Sequence, residues 1–177
     1  MEDDADWDVS LKSQLHTIAE KTRIFGNVAL DQRTHSPYGD EWDLLWLGNC
    51  NTPPGPPDSQ TFSSVDGHLH WVFRAHGGMA CVYGYAVTQS AARMLIHWLL
   101  DHDLAPDLAI SQFCEHHVCI TVWPELIGSR KTARARFRHS SISSQNGKSR
   151  EKGETRNIRN SAMLDMLSRM GRDMLRS

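Results

Sequence analysis

Apolar and polar positions alternate between two rhythms along this chain. Leu11, Leu15, Ile18 and Thr22 fall at i, i+4, i+7 and i+11, one face of a helix. They predict a first helix over 10–22, with Ser10 or Asp8 as its cap. Ser36-Pro37-Tyr38-Gly39 then signals a turn. The nearly continuous apolar run 41–48, closed by Gly48, reads as a buried strand. Four of the seven prolines crowd 49–67, which predicts a long loop. Leu69, Trp71 and Phe73 alternate across a strand over 68–74, and 81–87 is a second strand candidate. Ala91, Leu95, Trp98 and Leu99 place a helix over 90–101, opened by Thr88 or Ser90. Pro106 starts a helix of about ten residues, and 119–124 reads as a strand. From Gly128 to about Arg159 the chain turns to Ser, Arg, Lys and Gly and reads as an extended arm. Met163, Leu167, Met170 and Met174 form the stripe of a last amphipathic helix from 161, with Gly171 near its end. Strands alternating with helices predict an α/β sheet covered by helices.

Composition narrows this picture. The 177 residues, 40% of them hydrophobic, suit one domain with a real core. No apolar stretch is long enough for a membrane-spanning helix, and Met1-Glu2-Asp3-Asp4 is the opposite of a signal peptide, so the sequence assigns no compartment. The formal net charge of −2 hides a split. Residues 1–128 carry six Lys and Arg against 17 Asp and Glu, a net of −11; residues 129–177 carry 13 against four, a net of +9. The chain therefore divides into an acidic body, 1–128, and a basic arm, 129–177, able to fold over it. Cys50, Cys81, Cys114 and Cys119 form no C-x-x-C pair, so a zinc ribbon is not supported. Three disulfide pairings are open, and without a signal peptide four packed thiols are the expectation.

The acidic residues at the front have several readings. Composition favours a solvated acidic tail. An EF-hand loop on Asp4, Asp6 and Asp8 fails, because Val9 and Leu15 stand where Gly and Glu are needed. A haloacid-dehalogenase-like phosphatase needs a strand before its nucleophilic Asp, and nothing precedes Met1. Asp4-Ala5-Asp6 also fits the D-x-D element of nucleotide-sugar transferases, whose hard carboxylate oxygens hold a divalent ion against a diphosphate.

The segments that follow carry a resemblance. Glu2-Asp3-Asp4-Ala5-Asp6-Trp7-Asp8-Val9 before a helix resembles the acidic motif of glycosyltransferase family 25, which includes lipopolysaccharide-type transferases and the collagen galactosyltransferases. Trp42-Asp43-Leu44-Leu45-Trp46-Leu47-Gly48 is similar to its W-D-x-L-x-L-G strand. Tyr83 to Thr88, with Ala91, Ala92 and Leu95, resembles its Y-A-x-S strand-to-helix turn. Pro106-Asp107-Leu108 resembles its P-V-D step, and Val122-Trp123-Pro124-Glu125-Leu126 its V-x-P-x-L strand. Thr155 to Arg159 resembles the tail of members with a long C-terminal arm. The matches keep their order over almost the whole chain.

The resemblance implies a partial GT-A-like (Rossmann-like) α/β fold and inverting transfer of a hexose. The donor is a nucleotide sugar, written here as a UDP-sugar, and the acceptor is a hydroxyl of a glycan or protein. Mn²⁺ or Mg²⁺ would be held by Asp4 and Asp6, with Asp3 in or beside the shell. Asp107 would be the base, although an acid at a helix start also simply favours the dipole. Arg156 and Arg159 would reach diphosphate oxygens. The family's donor-binding half lies ahead of the acidic motif, so the chain is expected to be the back part of such an enzyme and to transfer little alone. Ser140-Ser141-Ile142 also departs from the family's S-D-I, with a hydroxyl in place of a carboxylate.

Other features have plainer readings beside sharper ones. His68-x-His70 points two imidazoles to one strand face, a metal pair or a polar face, and the polar face is preferred. His116-His117 sits near a helix end, where His is favourable anyway. Trp42, Trp46 and Trp71 suit a core better than a sugar platform. A non-catalytic remnant that binds a partner is the alternative function. Nucleic-acid binding is disfavoured, since Phe137 alone interrupts the basic run 130–138 as an aromatic and no binding module is present.

Overall fold

The computed structural model describes residues 5–50, 59–64, 67–102, 104–131, 154–155, 158 and 160–174. The elements in chain order are β1 (Ala5–Trp7), α1 (Leu11–Phe25), β2 (Leu44–Cys50), β3 (Gln60–Ser63), β4 (Leu69–Ala75), β5 (Ala80–Val87), α2 (Gln89–Asp101), α3 (Pro106–His116), β6 (Cys119–Trp123), β7 (Ile127–Lys131), β8 (Glu154–Thr155) and α4 (Ala162–Met174). The fold is mixed α and β.

Five strands form a mixed sheet in the order β3-β4-β6-β2-β5. The β2 and β6 strands take inner positions and pair in parallel, Leu45 opposite Ile120. The β2–β5, β3–β4 and β4–β6 pairs are antiparallel, so the sheet is far from the all-parallel form that regular alternation of strands and helices suggests. A second sheet, β1-β7-β8, is antiparallel throughout.

Strand pleating sends alternate β2 side chains to opposite faces. Leu44 and Trp46 pack with Ala91 and Leu95 of α2 and with Ile110, Phe113 and Cys114 of α3. Leu45 and Leu47 pack with Ile18 of α1, Ala5 of β1, and Leu126 and Ile127 at the start of β7. The large sheet thus has α2 and α3 on one face, and α1 with the small sheet on the other. Two glycines let the sheets approach. A Cβ at Gly48 would strike the Ile127 carbonyl and come within 2.9 Å of Gly84 N; one at Gly84 would meet the Ile127 side chain. Thr88 caps α2 by accepting a hydrogen bond from Ala91 N–H at 3.2 Å, and Pro106 opens α3 at its first turn.

Three expectations change. Residues 60–63, assigned to a loop, form β3, and 127–131, at the head of the basic arm, form β7. Both are strands because a neighbour supplies the pairing, not because their own pattern demands it. The cysteines are not thiols: Cys50 bridges Cys81, and Cys114 bridges Cys119.

Candidate functional site

The acidic segment and the last helix meet, 155 residues apart in sequence. Asp6 is 1% exposed. Its Oδ1 accepts from its neighbour Trp7 N–H at 2.9 Å and from Met163 N–H at 3.2 Å; its Oδ2 accepts from the Ser161 hydroxyl at 2.5 Å. Ser161 in turn accepts from Leu164 N–H at 3.0 Å. The carboxylate and the hydroxyl together cap α4, whose first N–H groups have no partner within the helix and whose dipole favours negative charge there. Asp8 continues the contact. Its Oδ2 accepts from Asn160 N–H at 3.2 Å, its Oδ1 accepts from Ser10 N–H at 2.8 Å, and Val9 N–H donates to the Asn160 carbonyl at 2.9 Å.

This geometry answers the metal expectation for the residue that can be assessed. Both oxygens of Asp6 are engaged by α4 and its own strand, in a buried position. Among the described residues no three His, Cys, Asp or Glu side chains converge as metal ligands. The described residues do not fit a divalent ion. Asp3, Asp4, Arg156 and Arg159 lie outside the described residues, as do residues 140–142.

Asp107 stands elsewhere. It lies in the first turn of α3, on the α2/α3 face of the large sheet, whereas β1 lies on the other. Its Oδ2 accepts from Cys81 N–H at 3.1 Å and its Oδ1 from Leu108 N–H at 2.9 Å. Cys81 has a φ of 61°, a left-handed conformation rare for a residue with a side chain, and the Asp107 carboxylate holds its amide there. Asp6 and Asp107 do not face one cleft, as a metal and a base of one reaction would: the two carboxylates are separated by the sheet, and Asp107 works as a tether between α3 and β5.

The structure instead gathers polar side chains that were read separately. A small hollow on the α1 face is lined by Asp8, Gln14, His68, His70, Glu125 and the apolar pair Leu126 and Ile158, with room for about one water molecule. His70 is buried; its ring stacks on Phe62 at 4.9 Å, and its Nδ1 lies 2.9 Å from the Pro124 carbonyl. A carbonyl can only accept, so Nδ1 carries the hydrogen. The rings of His68 and His70 are 6.1 Å apart. The tryptophans are structural as expected: Trp46 is wholly buried and donates to the Cys81 carbonyl at 3.0 Å, and Trp71 packs on Trp123. His117 stacks on Phe113 at 3.8 Å, with Nδ1 3.7 Å from Asp43 Oδ2.

Gln14 and Glu125 were missed by the sequence reading. The i, i+4 stripe of α1 omits Gln14, and Glu125 follows a strand-ending proline, so neither carried a signal of its own. Comparison of the chain with family models, with curated proteins and with solved structures gave no match in any of the three.

Proposed function

We propose that this chain is a glycosyltransferase-like protein of the family-25 type, built on part of a GT-A-like fold. The reaction belonging to that reading is inverting transfer of a hexose from a UDP-sugar to an acceptor hydroxyl. What supports it is where the resembling segments lie. The W-D-L-L-W-L-G run is β2, the Y-A turn is β5 leading into α2, the P-D-L step opens α3, and the V-W-P run ends β6. In the sheet β6, β2 and β5 are consecutive neighbours, and α2 and α3 pack together on one face. Segments scattered over 80 residues of sequence thus form one continuous piece of structure, as motifs of one ancestral domain should. Mn²⁺ or Mg²⁺ belongs to this reading by resemblance, through Asp4 and Asp6 with Asp3 in or beside the shell.

A second reading, a non-catalytic remnant, is favoured by one observation: Asp6, the described carboxylate of the D-x-D element, is spent on capping α4. Calorimetry of the 177-residue chain with uridine diphosphate, with and without manganese, separates the two. Metal-dependent binding is expected for the transferase reading. A folded protein that takes up neither nucleotide nor metal is the remnant.

A further inference from the structure

We propose that α4 is a membrane-surface helix, which lays its apolar side into the headgroup boundary of an anionic phospholipid bilayer. The proposal is independent of the transferase reading. It stands on α4 and on the basic segment that runs into it.

The helix is two-sided. Stepping around it, Met166, Met170, Met163, Leu167 and Leu164 follow one another over an arc of about 160°, and no charged residue interrupts them. Ser168, Asp165 and Arg169 take the opposite side, where Arg169 pairs with Asp165 at 2.9 Å. A core helix would turn the apolar arc inward. Here every residue from Met166 to Met170 is exposed, and Leu164, Met166, Leu167 and Met170 are each 40–50% exposed. The body holds the first turn, where Asp6 accepts from Met163 N–H and Ser161 from Leu164 N–H. Val9, whose N–H donates to the Asn160 carbonyl at the foot of the helix, adds a further exposed apolar side chain. A 13-residue helix is marginal in water by itself, and helices in proteins owe most of their stability to a packed apolar face. The exposed arc therefore calls for cover.

Charge selects what covers it. Residues 129–161, directly ahead of the helix in sequence, carry ten Lys and Arg against two Asp and Glu, a net of +8. An anionic bilayer satisfies both features at once: its surface potential draws the basic side chains, and its acyl boundary takes the apolar arc. Met and Leu suit that boundary, since methionine is flexible enough to follow an irregular surface. A second copy fits less well. Apposing two α4 helices would bring two segments of like charge together, and the arc is wider than the narrow seam of a coiled coil. The contact is peripheral, because among the described residues no helix is long and apolar enough to cross a membrane.

The test is co-sedimentation of the 177-residue chain with vesicles, of phosphatidylcholine alone or of equal parts phosphatidylcholine and phosphatidylserine. The chain is expected to pellet with the mixed vesicles, more weakly as salt is raised, and to stay in solution with phosphatidylcholine. On the mixed vesicles, amide exchange over 164–170 should slow. Met166→Ser combined with Met170→Ser changes no charge and touches two exposed positions; near-ultraviolet circular dichroism checks that the fold survives. This double variant should bind the mixed vesicles about tenfold more weakly. Ser168→Ala, on the polar side, should bind as the parent does. Undiminished binding by the double variant overturns the proposal, since the basic segment alone would then hold the chain to lipid. Equal binding to both vesicle types overturns it, as does binding to neither. So would a dimer in lipid-free sedimentation velocity that the double variant dissolves, which would put a second copy on α4. Tight binding of calcium-loaded calmodulin, a probe for an acidic helix-binding groove, with vesicles ignored would overturn it in favour of a protein partner.

Discussion

The two faces of the large sheet are built to different rules. On the α2/α3 face Leu44, Trp46, Leu95, Ile110 and Phe113 interlock, and polar groups buried there find partners, the Trp98 indole N–H excepted. Met79 N–H donates to the Ser111 hydroxyl at 3.1 Å, and the Asn49 amide donates to Thr121, which donates to the Trp46 carbonyl. On the α1 face the core shares space with Asp6, Asp8, Gln14, His70 and Glu125, all less than 7% exposed. Burying such groups is costly unless each finds a partner, and Gln14 has not. The dry face holds the molecule together, and the other carries the buried carboxylates.

The contrast can be broken by substitution. The largest effect should come from Trp46→Ala on the dry face, about 3–5 kcal/mol lost in chemical denaturation, since a wholly buried indole leaves a cavity and its N–H no longer donates to the Gly48 and Cys81 carbonyls. A loss under about 1 kcal/mol would mean that this face is not the dominant core. Removing the Cys50–Cys81 bridge by paired Ser substitutions comes next. It frees a loop with a sequence separation of 31, worth about 3–4 kcal/mol in chain entropy. Thermal melts with and without reductant would read it, and unchanged melts would show that the bridge does not close in solution.

Asp6→Ala should have a smaller and more local effect, about 2–3 kcal/mol. It strips the cap from α4, so amide exchange at Met163 and Leu164 should speed up while exchange in β2 and β6 stays slow. Equal acceleration everywhere would deny that α4 opens separately from the sheet. Smallest of all should be Asp107→Asn, about 1 kcal/mol, because an amide oxygen can still accept from Cys81 N–H. A collapse of the fold in that variant would mean that the charge itself, and not the tether, is required.

How much of this was legible beforehand follows the same divide. The helix over 90–101, the inner strands and the burial of Trp46 were readable because hydrophobic periodicity reports directly on a dry face. The β3 strand was not, since Gln60-Thr61-Phe62-Ser63 has a single large apolar residue and is a strand only beside β4. The β7 strand was masked by Arg130 and Lys131, which gave it the look of the basic arm. Spacing leaves three disulfide pairings equally open, and the choice is made by the end of β2 lying beside the start of β5 and by α3 turning straight into β6. The hollow was the least accessible feature. Its lining runs from Asp8 to Ile158, and no local motif joins positions so far apart.

The pairing of Asp6 with Ser161 also sets an order of events. A chain emerging from the ribosome can complete β2 through β6, and with them the large sheet, while residues 5–8 still wait for partners at 127–129 and 160–163. Contacts this distant in sequence are the slow ones to form. Residues 5–8, synthesised before the large sheet, are thus among the last to find their place, and until then β1 is an unpaired edge open to chaperones or to neighbouring chains.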